Sequence, residues 1–465
     1  MEDQAMGLRD SRDVPVSTAS RAALDRYEAA LDRLHSYFRD PLAEIEAALA
    51  EDPGFVMGHC LRGTLMALAT EKAAEAPLRE SVEAAEALAA GANERERGHI
   101  VALRAWLDGD FAGAVDAWGR VAEAWPRDGL ALQAAHLGDF YLGHTQLLRD
   151  RIARALPGWD EAVPGYGYVL GMHAFGLEET GDYRAAEAAG RRAVALQPRD
   201  PWAIHAVAHV MEMQGRLPEG IGWLTGRTGD WAPDNMFAFH NWWHLALYHL
   251  DLGETGTVLR LYDEAIRPQP SALALETLDA TALLWRLHLR GVDVGEGGGA
   301  RWAELAETWA PMAEDGYYAF NDMHAMMAFV ATGRDADADR LLAAQARRAA
   351  AGGTNAAMTA EVGLPVCRAL RAFGAGDYGA AVELLAPVRA VAHRFGGSHA
   401  QRDVLSLTLI EAALRGGQAD LARALAAERT DAKPGSPFNW RLTARALRLA
   451  GDEAGATAAE ARANI

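Results

Sequence analysis

The sequence predicts an all-α protein built from repeated pairs of helices, and three observations lead to that fold class. Alanine, leucine, glutamate and arginine, which are strong helix formers, dominate stretches such as 184–196 and 335–351. Alternating runs rich in valine, isoleucine and threonine, which are typical of strands, are almost absent. One phrase also recurs along the chain: an apolar helix, a glycine followed by a polar residue, and an alanine-rich helix.

The recurring glycines define the length of the repeat. They lie 34 to 43 residues apart, except for two gaps of 72 and 80 residues that are about twice as long. These marker glycines are Gly109, Gly181, Gly215, Gly253, Gly333, Gly376, Gly417 and Gly451. A helix–turn–helix unit of this length with Gly, Ala and Pro at fixed places is the tetratricopeptide signature. It predicts an α-solenoid, a superhelix of antiparallel helix pairs in which each glycine takes a positive φ at the turn.

The same pattern suggests how the chain is divided. We expect residues 1–20, which have no periodicity, to form a flexible N-terminus. Residues 21–465 are then a single repeat solenoid. A glycine-rich loop is expected near 292–301 and a second one near 351–355.

Composition excludes several classes of function at this stage. With 64 acidic and 45 basic residues the net charge is −19, so we expect no nucleic-acid partner. The opening residues are charged and no apolar run could span a bilayer, so we expect no membrane association and a cytoplasmic location. Cys60 and Cys367 are too few for a disulfide framework, and both should be buried. A homodimer is compatible with the sequence.

Histidine placement points to a site on the first helices of the repeats. His205, His209 and Glu212 stand at i, i+4 and i+7, so they share one helix face. His240 and His244 repeat the i, i+4 spacing in the next unit. Asp322 and His324 lie in a later first helix.

Three interpretations of these residues remain open. The histidines are packing residues, or they bind a divalent metal such as zinc, or they line a metal-free pocket and transfer protons. The HAVAH string lacks the glutamate of the HExxH motif, so a metalloprotease is not supported. The metal ligands would be His205, His209, Glu212, His240 and His244. The catalytic candidates are His205, His209, His244 and His324.

Aromatic and polar residues near the histidines are candidates for binding a ligand. Trp243 and Tyr168 could form apolar walls, although tryptophan also belongs to the packing pattern of the repeat. Arg402 could hold a carboxylate bidentately or form a salt bridge between repeats. The ligand-binding candidates are Glu212, His240, Trp243, Asp322, His173, Tyr168, His399 and Arg402.

Five strings together give a more specific resemblance. They are PGYGYVLGMHAFGLEETGDY, HAVAHVMEMQGR, HNWWHLALYHLDLG, FNDMHAMMAF and GGSHAQRDVLSLTLIEAALR. Over roughly residues 25–460 the chain resembles the tetratricopeptide repeat protein 38 family, as a bacterial member. The resemblance implies a cytosolic helical solenoid. It supplies no reaction and no residue roles.

Two functions of different classes follow. The first is a repeat protein whose concave face forms a His/Glu/Trp-lined pocket for a small polar molecule, with metal-dependent or histidine acid–base catalysis as an open possibility. The alternative is a non-catalytic adaptor that binds a partner peptide in its groove. An adaptor needs Lys, Arg and Asn along the groove to bind the peptide, and the first helices contain few of them.

Overall fold

The computed structural model describes residues 8–294 and 298–464, and in these ranges it confirms the all-α prediction. No strand occurs among the described residues, where β pairing is limited to two isolated bridges, Arg9 with Pro15 and Phe38 with Asn235. Within the same residues, no helix is both long and apolar enough to cross a membrane.

Twenty-six α-helices follow one another in these described ranges. The first thirteen are α1 (Arg21–Ser36), α2 (Pro41–Glu51), α3 (Val56–Leu68), α4 (Glu75–Ala87), α5 (Glu94–Leu107), α6 (Phe111–Ala124), α7 (Gly129–Leu142), α8 (Thr145–Ala155), α9 (Tyr166–Glu179), α10 (Tyr183–Leu196), α11 (Pro201–Met213), α12 (Leu217–Thr225) and α13 (Thr228–Trp231). The others are α14 (Ala238–Leu252), α15 (Thr255–Leu261), α16 (Ala274–Leu289), α17 (Gly298–Trp309), α18 (Ala319–Thr332), α19 (Asp335–Ala349), α20 (Thr354–Met358), α21 (Leu364–Gly374), α22 (Tyr378–Val388), α23 (His399–Arg415), α24 (Ala419–Ala432), α25 (Pro437–Leu449) and α26 (Glu453–Ala463).

The eight marker glycines all lie between the two helices of a pair, as predicted, and all have a positive φ of 64° to 87°. The two long gaps are filled by Gly143 between α7 and α8 and by Gly291 between α16 and α17, with φ of 68° and 67°. At Gly181 an added Cβ would meet no atom within 4 Å. The backbone conformation, and not close packing, therefore requires glycine there.

An aspartate directly after the glycine begins the second helix of several pairs. Asp110, Asp182, Asp377 and Asp452 each accept a hydrogen bond from the backbone N–H three residues later. This N-cap satisfies one of the amide groups that a helix start leaves without a partner. In these four pairs the glycine and the aspartate together encode both the turn and the next helix. The same place in the other four pairs holds polar residues that make no cap hydrogen bond: Arg216, Glu254, Arg334 and Gln418.

The chain divides into two compact units, which are described separately. The first comprises Met1–Val207 and Gly229–Phe237, and the second comprises Ala208–Thr228 and Ala238–Ile465. The long helix α11 contributes residues to both. The single solenoid over 21–465 stays a prediction.

In the first unit the N-terminal segment packs onto the helices. Residues 1–7 of the expected flexible N-terminus lie outside the described residues. Residues 8–20 differ from that expectation, since Val14 and Val16 are almost fully buried and Arg12 pairs with Asp10 at 3.0 Å. Apolar side chains without helical periodicity are sufficient to hold this segment in place.

A buried ionic cluster joins α5 to the start of α7 in the first unit. Asp128, the N-cap of α7, accepts hydrogen bonds from Arg95 and His99, each at 2.8 Å. Both partners are as buried as the aspartate. His99 of α5 therefore belongs to a buried hydrogen-bonded cluster that joins helices.

In the second unit the last helix pair has a thin core. Ala444, Ala456 and Ala459 form it, with Trp440 and Leu447 packed against them. The small side chains bring α25 and α26 close together but bury little apolar area.

The two predicted loops are shorter than expected. Residues 292–294 are not helical, 295–297 lie outside the described residues, and α17 begins at Gly298 within the expected loop. The second loop ends where α20 begins at Thr354. Cys60 and Cys367 are fully buried, as predicted.

Candidate functional site

A chain of hydrogen bonds between imidazoles and carboxylates runs through the second unit. Nδ1 of His244 donates to Glu212 at 3.1 Å, and Nδ1 of His240 donates to Asp279 at 2.5 Å. The Nε2 atoms of the two histidines lie 3.2 Å apart. Both imidazoles therefore turn their Nδ1 edges toward a carboxylate and their Nε2 edges toward each other.

Two further side chains extend this arrangement at its ends. Lys433, which follows α24, lies 3.4 Å from Glu212, and Gln401 of α23 donates to Asp279 at 3.5 Å. We call the complete set the histidine–carboxylate chain: Lys433, Glu212, His244, His240, Asp279 and Gln401.

Helical spacing places the components of this chain. The i, i+4 spacing of His240 and His244 puts both on one face of α14, as predicted. His209 and Glu212 lie one turn apart on α11, and the ring centroid of His209 is 4.4 Å from that of His244. Asp279 comes from α16.

Burial and the neighbouring charges set the protonation of this chain. Burial lowers the pKa of His244 to about 3, and the nearby His209 acts in the same direction. Burial alone would raise the pKa of Glu212, but Lys433 and His244 bring it below its ordinary value. A neutral imidazole thus donates to an ionised carboxylate.

Asp322 and His324 have different surroundings, although both lie in α18. Nδ1 of His324 donates to the Phe320 carbonyl at 2.8 Å, so its Nε2 carries the lone pair, and burial lowers its pKa to about 4. Asp322 accepts a hydrogen bond from Gln345 at 3.3 Å and lies close to Cys367. Burial raises the pKa of Asp322 to about 7.

A cavity with a volume of about 370 Å³ lies beside the histidine–carboxylate chain, in the same unit. Lys433 and His399 both border it, and the His399 ring centroid is 6.3 Å from that of His209. Among the described lining residues the only carboxylate is Asp403. The basic side chains of the lining are Arg389, His393, His399, Arg402, Arg429 and Lys433.

Ion pairs balance part of this positive charge. Arg429 contacts both carboxylate oxygens of Asp403, at 2.5 and 3.1 Å, and Arg389 pairs with Glu428. Arg402 donates to the carbonyl groups of Gly396 and Gly397. These two backbone carbonyls help to fix the position of the guanidinium at the cavity.

Three predicted residues lie in the first unit. His205 is enclosed by aromatic rings, and the ring centroids of Phe175, Trp202 and Phe237 each lie 5.2 Å from that of His205. Trp202 precedes His205 by less than one turn of α11. His205 stands one helical turn before His209 on α11, on the same helix face.

Tyr168 and His173 are both on α9 of the first unit. The Tyr168 hydroxyl donates to Asp32 at 3.2 Å, and its ring centroid is 5.4 Å from that of His35. Burial lowers the pKa of His173, and the neighbouring Arg149 adds to this effect. Contacts of this kind hold the helices of the unit together.

Trp243 packs against the histidine–carboxylate chain. It is fully buried, its ring stacks on His240 with centroids 5.4 Å apart, and the Arg286 guanidinium lies 5.2 Å from its ring centroid. Asp279, Gln401 and Lys433 were not among the site residues predicted from the sequence. A signal existed for Asp279, because a carboxylate within the apolar helix α16 needs a partner when it is buried.

Comparison with known proteins finds only distant structural similarity. No family model matches the chain. Two solved structures of human IFIT1 dimers, one with m7Gppp-AAAA and one with PPP-AAAA, each have a TM-score of 0.41 to this chain. They are 12% and 11% identical, and the matches cover 99% of this chain and 96% and 95% of theirs. The helical repeat fold of this chain rests on its own helix pairs and glycine turns.

These structures also correct one expectation. The exclusion of nucleic acid from the net charge is wrong: the IFIT1 dimers in this comparison were solved with m7Gppp-AAAA and PPP-AAAA, and basic side chains line one cavity of this acidic chain. Net charge averages over the whole surface, whereas binding depends on the local field. The cationic cavity in a chain of net charge −19 illustrates the difference.

Proposed function

We propose that this protein is a ligand-binding helical repeat protein whose second unit holds a small anionic molecule in the cavity between α22, α23 and α24. The observation that carries the proposal is the concentration of six basic side chains around one cavity of an acidic chain. A volume of about 370 Å³ is in the range of small-molecule sites.

Arg402 is the residue we assign to the anion. It lines the cavity, and it is held by the carbonyls of Gly396 and Gly397. Arg429 and Lys433 line the same cavity, where they contact Asp403 and Glu212. A planar guanidinium can bind a carboxylate or a phosphate through two parallel hydrogen bonds.

Three predictions from the sequence remain part of this proposal: the family, catalysis by histidine and the binding of a partner peptide. Membership of the tetratricopeptide repeat protein 38 family is supported by the five strings and by the helical repeat. Catalysis by His205, His209, His244 or His324 stays a prediction, as does the binding of a partner peptide. The anion site is the part that the cavity supports most directly.

Isothermal titration calorimetry with citrate and with inorganic phosphate, on metal-free protein, tests the proposal. At least one anion should bind, with an affinity that falls as salt is added. Arg402→Gln should weaken binding about tenfold or more, since a charge-assisted hydrogen bond contributes about 1.5–3 kcal/mol.

Arg415→Gln is the matched control, because Arg415 is on the same helix and is not among the residues that line the cavity. It should bind the anion like the unmodified protein. The proposal is refuted if neither anion binds, or if the two variants behave alike.

A further inference from the structure

We infer that His209, His240 and His244 form a binding site for a divalent transition metal, with zinc as the reference ion. One ring nitrogen from each of the three lies within 4.8 Å of the others. All three side chains are buried, and all belong to the second unit. The site goes beyond the proposed anion cavity, and its geometry is independent of that proposal.

The separation of two of the nitrogens matches a coordination edge. Zinc binds histidine nitrogen at about 2.0–2.1 Å in a tetrahedral arrangement, which places two ligand nitrogens about 3.3 Å apart. The Nε2 atoms of His240 and His244 are 3.2 Å apart. Little movement of these two rings is needed for both to bind one ion.

The protons of these two rings are fixed on the opposite edges. Nδ1 of His244 donates to Glu212, and Nδ1 of His240 donates to Asp279. Each Nε2 therefore presents a lone pair to the other ring, and two lone pairs at this distance repel unless a proton or a cation lies between them. A divalent cation would relieve the repulsion for both rings at once.

Carboxylates behind the histidines are the usual second layer of zinc sites. A carboxylate that accepts the Nδ1–H orients the ring and makes Nε2 a stronger ligand. Glu212 and Asp279 have this role here, and Lys433 and Gln401 hold them in turn. Glu212, predicted from the sequence as a direct ligand, is thus a positioning residue in this inference.

The ligand set limits the choice of metal. Three imidazoles without a carboxylate in direct contact suit zinc and its neighbours cobalt, nickel and copper, and they do not suit calcium or magnesium. Three protein ligands also leave a coordination position for water or another group. His205 as a further ligand stays a prediction of the sequence.

Cobalt(II) titration of chelator-treated protein tests the site, because the ion gives visible absorption bands whose shape reports tetrahedral coordination. We expect one equivalent to bind, and stoichiometric zinc to displace it. His209→Gln and His244→Gln should each abolish the bands. His249→Ala, on the same helix α14 but paired with Glu254, should leave them unchanged.

Asp279→Asn tests the positioning role with all three ligands retained. It should weaken cobalt binding by 10–100-fold and shift the bands. A circular dichroism spectrum and a melting curve show whether each variant folds. Absence of binding to the folded protein, or bands that survive the His244→Gln change, would overturn the inference.

The two proposals fail separately in these experiments. Anion binding is measured on metal-free protein and depends on Arg402, whereas cobalt binding is measured without added anion and depends on the histidines. Loss of only one signal identifies which proposal is wrong.

Discussion

Replacing Asp322 by asparagine should change how stability depends on pH. The carboxyl group of Asp322 is buried in α18, where Gln345 donates to it at 3.3 Å. Burial raises its pKa to about 7, with Asp315 adding to the effect and Arg348 opposing it. Asparagine has nearly the same shape and cannot titrate, so the variant isolates the proton.

The direction of this pH dependence follows from comparing the folded with the unfolded protein. The folded protein binds this proton more tightly than the unfolded chain, whose aspartate has an ordinary pKa near 3.8. The stabilisation is complete below that value and is lost as pH rises toward 7. The difference between about 7 and 3.8 corresponds to at most about 4 kcal/mol in the free energy of unfolding.

Urea denaturation at several pH values between 4 and 8 measures this difference. The free energy of unfolding of the variant minus that of the unmodified protein should rise from pH 4 to 7 and stay constant above pH 7. The buried His35 and His324, with pKa values lowered to about 4, change stability in the opposite direction. They are present in both proteins, so their effect cancels in the comparison.

Exposed Asp420, replaced by asparagine, serves as the control and should show a flat difference. The reasoning about Asp322 is refuted if its difference is also flat, or if it falls as pH rises. Either result would mean that the carboxyl group keeps its charge at little cost in the folded protein.

Two further predictions concern stability and are measured by the same urea denaturation. Gly181→Ala should lower the free energy of unfolding by about 1 kcal/mol, because φ is +83° at this position. Gly222→Ala is the control: this residue lies in the helix α12 with no atom near the new Cβ, so the substitution should be neutral or slightly stabilising. Equal losses of stability in the two variants would contradict the role of φ. Asp128→Asn should cost about 3–5 kcal/mol because the guanidinium of Arg95 stays buried beside a neutral amide, and a loss below about 1 kcal/mol would show that water reaches the site.

The repeat could be predicted from sequence because its signal is local. A glycine at a positive φ and an aspartate that caps the next helix lie side by side, so one short string encodes both. Gly143 and Gly291 were not among the predicted markers: His144 follows the first, and Val292 begins a longer connection after the second.

The candidate site could be predicted only in part. The i, i+4 pair His240 and His244 is visible within one helix, and so is the helix face that His209 and Glu212 share. Asp279 is 39 residues from its histidine, and the pairing arises only when α14 and α16 come together. Trp243 is buried beside the Arg286 guanidinium through packing between helices, and no local spacing in the sequence encodes such packing.

The thin core of the last helix pair implies that α26 unfolds locally more easily than the other helices of the second unit. In α26 the buried residues Ala456, Ala459 and Ala463 are all alanines, so separating this helix exposes little apolar surface. Amide protons of α26 should therefore exchange with solvent through fraying of this helix alone, while the histidine helix α14 exchanges only when a larger part of the unit opens.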